Sequence, residues 1–142
     1  MESKGRLMEE LKLENGLTVY LYDQSRPIAG DRYQVQLLIA IPLEIKESYF
    51  RDCPDPDKAY LSFTSAIGRE ISFQQEKIRN FIDAGLVEEM LETMKSSFLK
   101  INRVYLSHPS FAEKYVMKKY REWKEREPLL RLHAEAIRKI EG

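Results

Sequence analysis

Two aspartates, two arginines and a serine fall within ten positions in Asp23-Gln24-Ser25-Arg26-Pro27-Ile28-Ala29-Gly30-Asp31-Arg32. A guanidinium presents a planar fork of donors that matches a carboxylate or phosphate group bidentately, and a serine hydroxyl adds a further donor. Asp23, Ser25, Arg26, Asp31 and Arg32 are therefore the candidate ligand-binding residues of a small-anion receptor or enzyme, with apolar strand faces as the pocket wall. The matched charges allow the opposite outcome too. Asp23 and Asp31 can satisfy both forks, leaving an internally salt-bridged turn.

A second group lies between Lys114 and Arg126. Lys114, Lys118, Lys119, Arg121, Lys124 and Arg126 alternate with Tyr115, Tyr120 and Trp123. Cations that clamp phosphates beside rings that stack on bases are the pattern of a nucleic-acid-associated module. Glu113, Glu122, Glu125 and Glu127 offset much of that charge, and Tyr120 and Trp123 fall on the apolar stripe of the helix. A solvated charged face over core aromatics is the competing reading. A third group is apolar. Leu129, Leu132, Ile137 and Ile140, with Leu130 and Ala136 beside them, give the last helix a broad band. That band either completes the core or docks on a protein partner or a second copy.

Other chemistries lack their residues. The six glycines stand at 5, 16, 30, 68, 85 and 142, so neither a dinucleotide fingerprint nor a P-loop is present. His108 and His133 are too far apart for an HExxH zinc helix. Asp52, Asp55 and Asp57 begin a calcium-like run, but Tyr60 stands where the loop needs glycine and Ala66 where it needs glutamate. Cys53 is flanked by Asp52 and Asp55, which disfavour its thiolate. His108 precedes Pro109 at a helix entry and reads as a capping or surface residue rather than a general base. No metal and no cofactor is expected.

The elements that must position these groups follow from periodicity. Asn15-Gly16 between Leu11, Leu13 and Leu17, Val19, Leu21 signals a hairpin. A three-residue loop Glu14-Asn15-Gly16 with a left-handed Gly16 keeps the leucines on one face, pairing Leu13 with Leu17 and Leu11 with Val19. Tyr33, Val35, Leu37, Ile39, Ile41, Leu43 and Ile45 alternate through a long strand, with Leu38 and Ala40 making its centre apolar on both faces. Pro42 cannot donate to a ladder, so one side must be unpaired or bulged there. Residues 47–55 read as a loop. Asp55-Pro56 begins a short helix that closes at Gly68, and a strand runs from Arg69 to about Ile78.

The remainder is helical. Val87, Met90, Leu91, Met94, Phe98 and Ile101 form one stripe. Ser110 to Glu113 fits a capping box. Pro128 is expected to end or kink that helix near Arg126, with a final helix over about 128–140.

Strands then helices predict an α+β fold: an antiparallel β-sheet (hairpin, long third strand, fourth strand after a short helix) covered on one face by C-terminal helices. One domain over 1–142 is expected, 1–82 mainly sheet with one short helix and 83–142 helical. The charge balance of 23 basic and 23 acidic residues disfavours a nucleic-acid binder driven by bulk charge. No secretory h-region or membrane-length apolar run is present, and the lone cysteine agrees with a cytoplasmic protein. The reading that best fits is a small non-catalytic protein-interaction or self-associating module. A nucleic-acid module using 114–126, and an anion-binding protein or enzyme using 23–32, are the alternatives.

Overall fold

The computed structural model describes residues 4–141, with side chains up to Pro128 and at Ala136. The strands are β1 (Arg6–Lys12), β2 (Thr18–Asp23), β3 (Arg26–Ala29), β4 (Arg32–Glu44) and β5 (Glu70–Asp83). The helices are α1 (Pro56–Ile67), α2 (Val87–Leu106) and α3 (Phe111–Glu141), with 3-10 turns at Glu47–Phe50 and Ala84–Leu86. The fold is α+β with an antiparallel sheet, as the order of patterns predicts, and the sheet has five strands where four were expected. The chain divides into two compact units: residues up to Leu43 with Ser72–Phe111, and Glu44–Ile71 with the residues from Ala112 onward.

In the first unit β4 is the central strand. β2 and β3 follow one another along one of its edges, and β5 also pairs with it. Val35, Leu37, Ile39, Ile41 and Leu43 are fully buried, and so, nearly, are Leu38 and Ala40 on the opposite face. Tyr20 and Tyr22 stand across from Ala40 and Leu38 in the β2 register. The β2 ladder ends at Tyr20–Ala40, two residues short of Pro42, which is the interruption that its missing N–H requires.

The hairpin forms in the register that burial demands. Leu11 opposes Val19, the Leu13 N–H donates to the Leu17 carbonyl (2.8 Å), and Gly16 has φ +89°. The loop also does a second job. Asn15 Nδ2 donates to the carbonyls of Leu106 (2.8 Å), the last residue of α2, and His108 (3.0 Å), just beyond it, while its Oδ1 accepts from the Leu17 N–H (3.2 Å). Carbonyls at a helix C-terminus have no partner within the helix. One side chain thus closes the turn and satisfies the end of a helix ninety positions away.

Glu9, Leu21 and Ile39 share a sheet face through consecutive registers, and Lys95 of α2 reaches Glu9 (2.9 Å), so α2 covers that face. Leu91, Met94, Phe98 and Leu106 bury its apolar stripe. Ile101, expected on the stripe, is instead exposed; half-buried Asn102 takes its place, its Nδ2 donating to the Phe98 carbonyl. The reason is rotational. At 100° per residue the seam follows steps of four beyond Phe98, which carries position 101 off the covered side.

The second unit is built on aromatics. Phe50 and Phe63 are fully buried, and Tyr120 meets both edge-on, at 5.1 and 5.4 Å between centroids. Residues 47–50, expected as loop, form a 3-10 turn that inserts Phe50 into this cluster. Asp55 caps α1 through the Lys58 N–H with Pro56 at its first position, and Gly68 closes it at φ +106°, both as expected. Two expectations for α3 fail. No separate final helix starts at Pro128, which lies inside α3. Proline costs a helix one hydrogen bond and a local clash, and the turns on either side hold it across that single gap. The capping box does not close either, because Glu113 pairs with Arg51 and Ser110 turns to the His108 ring.

An Asn15→Asp substitution keeps the turn preference but removes both donors and sets a negative charge against the negative end of α2. It is expected to lower unfolding free energy by about 1–3 kcal/mol in urea titration.

Candidate functional site

The five residues singled out between positions 23 and 32 do not converge. The stretch expected to be a long loop contains β3, which turns back on β4 through Gly30-Asp31, with Gly30 at φ +56° and Ala29 opposite Arg32. A two-residue turn with left-handed glycine favours such a hairpin, and Pro27 is tolerated because β3 is an edge strand.

Asp23 and Ser25 make the joint between β2 and β3. Asp23 Oδ1 accepts from the Ser25 N–H (2.8 Å), Ser25 Oγ accepts from the Gln36 N–H (3.1 Å), and the Gln24 N–H donates to the Gln36 carbonyl (2.8 Å). Backbone groups at the break in the ladder are met in this way by side chains. Asp23 Oδ2 accepts from Arg6 (3.2 Å), which also reaches Glu88 of α2 (3.1 Å). Asp23 and Ser25 border an open hollow of 430 Å³ with Gly5, Gln24, Gln36 and Glu76. A Cβ on Gly5 would collide with the Asp23 carbonyl, so the chain can pass here only as glycine.

The other three residues face elsewhere. Arg26 Nε donates to Gln34 Oε1 (3.2 Å), and Gln34 Nε2 donates to Asn80 Oδ1 (3.0 Å), a polar row across β3, β4 and β5. Arg32 lies 3.5 Å from Asp83 and 3.8 Å from Asp31. Neither arginine pairs with Asp23.

Burial alone would raise the Asp23 pKa. Hydrogen bonds from Ser25 and the Arg6 guanidinium outweigh it and hold the carboxyl below its ordinary value. Stabilisation from a depressed carboxyl is complete above the unfolded pKa and is lost as pH falls through the folded one. An Asp23→Asn variant is expected to show a shallower loss of stability than the parent below about pH 4, read from urea midpoints across an acid series.

The 114–126 aromatics lie in the cluster or against it. Tyr120 is buried, and Trp123 is half-buried, tilted on Phe63 at 5.4 Å. Lys119 and Lys124 lean over Tyr115 and Tyr120 of the same helix, and Lys119 also meets Glu122 (3.4 Å). The side chains of Leu129, Leu132, Ile137 and Ile140 lie outside the described residues. Ser110 Oγ is 2.8 Å from His108 Nδ1, but that nitrogen also accepts from the Ser110 N–H (3.1 Å), and no carboxylate among the described residues orients the ring. The pair is a local turn rather than the triad that activates a serine. Among the described residues no group of three His, Cys, Asp or Glu side chains is placed to hold a metal ion.

Sequence patterns gave no warning of Phe81. β5 runs to Asp83, five residues beyond its expected end. The Asn80 and Gln34 side chains hydrogen-bond, and the Ala84 N–H donates to the Asp31 carbonyl (2.8 Å), so β5 follows β4 as far as the Gly30-Asp31 turn. Phe81 is the one described residue other than glycine with positive φ (+59°), and it is 71% exposed. The left-handed conformation costs an L-residue about 1–2 kcal/mol. Ile78 and Leu86, on either side of it in sequence, are exposed as well.

No family model matches the chain, and neither a search of curated proteins nor a search of solved structures found a match.

Asparagine tolerates the left-handed region, and little apolar surface is buried at position 81. Phe81→Asn is therefore expected to raise unfolding free energy by about 1 kcal/mol, measured by urea titration, whereas an ordinary buried strand phenylalanine loses several when truncated.

Proposed function

We propose that this chain is a non-catalytic protein-interaction module whose binding surface centres on Phe81. The observation that carries the reading is a large aromatic side chain held out to solvent in a backbone conformation that opposes it. Such strain persists where function requires the geometry, and exposed aromatics are the residue class that dominates interface energetics. Ile78 and Leu86 extend the apolar surface along β5 and the turn after it. Lys77 and Arg79 flank it without a carboxylate partner among the described residues; Arg79 donates only to the Ile78 carbonyl (2.9 Å). The complementary partner is a protein with an apolar pocket for Phe81 and an acidic rim for these two cations.

A photoreactive benzoylphenylalanine at position 81, activated in the native cell, tests this. A discrete heterologous protein is expected in the adduct. With the purified pair, Phe81→Asn and the double variant Lys77→Glu, Arg79→Glu should each weaken binding at least about tenfold, and affinity should fall as salt rises. Adducts only with a second copy of this chain, no discrete adduct, or full affinity in the Phe81→Asn variant would overturn the reading.

A further inference from the structure

The second unit holds a groove of about 680 Å³ between α1 and α3, within the size range of small-molecule sites. One wall is α1, which presents small side chains there: Ala59, Ser62, Ser65 and Ala66. The other wall carries the Trp123 ring. Phe63 at 5.4 Å and Tyr120 at 6.0 Å fix that ring from behind, and the indole remains half-exposed toward the groove. From Ala59 to Ala66 no α1 side chain that lines the hollow is larger than serine, and Lys58 stands at its end.

Its lining includes exposed donors that have no hydrogen-bond or ion-pair partner among the described residues. The hydroxyls of Ser62 and Ser65 make no hydrogen bond among the described residues, although Thr64 between them bonds back to the Tyr60 carbonyl (2.8 Å). The Lys58 ammonium has no carboxylate partner there, and that of Lys124 lies only over the Tyr120 ring (6.0 Å). Asp55 also borders the groove, but it is committed to the α1 N-cap through the Lys58 N–H. Glu127 stands one turn beyond Lys124 and sets the acidic end of the groove.

We propose that this groove binds a planar aromatic ring carrying an anionic group. The ring stacks on Trp123, a contact open to any flat π-system. The anion meets Lys58 and Lys124, and the serine hydroxyls supply neutral donors along the α1 wall. A nucleotide and an aromatic carboxylate share this chemistry. The proposal is independent of Phe81, since it rests on residues of the other unit.

The chain supplies its own reporters. Trp123 is the sole tryptophan and Cys53, at the groove's edge, the sole cysteine. The full chain is titrated with AMP and, separately, with benzoate. Intrinsic fluorescence is followed together with the rate at which Cys53 reacts with Ellman's reagent. Adenosine and benzyl alcohol are the uncharged controls.

A saturable fluorescence change with at least one anion is expected at a Kd of about 1 mM or tighter, with slower Cys53 modification at the same half-saturation. AMP alone marks a nucleotide site, benzoate alone an aromatic carboxylate site, and both the shared class. Lys58→Glu with Lys124→Glu should weaken the response at least about tenfold, and Ser62→Leu, which fills the groove, should abolish it with the circular dichroism spectrum unchanged. No saturable change with either anion, equal binding of the uncharged controls, or a response that survives Ser62→Leu would overturn the proposal.

Discussion

A strand buried on both faces must have its backbone hydrogen bonds met by protein. From Val35 to Ile41 every residue of β4 except Gln36 is buried, so water cannot substitute for a missing neighbour. The first unit is arranged around this demand. β2 and β3 share one edge, β5 takes a place of its own beside β4, and the β2 ladder ends short of Pro42, the one residue there without a donor. Where β2 and β3 meet, Ser25 Oγ and the Gln24 backbone take over the bonding of Gln36. The Asp23 carboxylate then holds the joint, with Arg6 linking it to α2. Asp23 and Ser25, read in sequence as part of an anion receptor, are thus engaged where the ladder changes strands.

The exposed feature of the first unit has a backbone origin: Phe81 is held in the left-handed conformation, which opposes an L side chain. In the second unit, by contrast, the open surface comes from side-chain volume. The aromatic cluster fills the space around Phe50 and Phe63, while the small residues along one side of α1 leave part of the half-buried Trp123 ring open to the groove. Backbone strain and missing volume are separate physical origins, and they produce surfaces with different chemistry.

Several elements were legible because one local rule decided each. Leu11, Leu13, Leu17 and Val19 can share a face only with a three-residue loop, and the loop has that length. Alternation over Tyr33 to Ile45 marked β4, and Asp55-Pro56 marked the start of α1. Elements failed to be legible where two rules competed. Gly30-Asp31 is a weaker turn signal than Asn-Gly, and the four residues of β3 carry no alternation, so the segment read as loop. Pro128 is a strong helix breaker by propensity, yet α3 runs through it. Ile101 matched the stripe in spacing, but the seam had rotated away from it within one turn.

By itself the amino-acid sequence determined the class of the fold, the central strand, the hairpin register and the entry to α1. Each depends on side-chain periodicity or on a turn residue acting within a few positions. Only the tertiary structure decided which charges pair, where β5 holds a left-handed residue, and which wall of α1 faces Trp123. Those outcomes depend on partners far apart in the chain, as when Asn15 reaches the end of α2 or Arg6 reaches Glu88. No local pattern encodes a contact whose two halves are brought together only when the core closes.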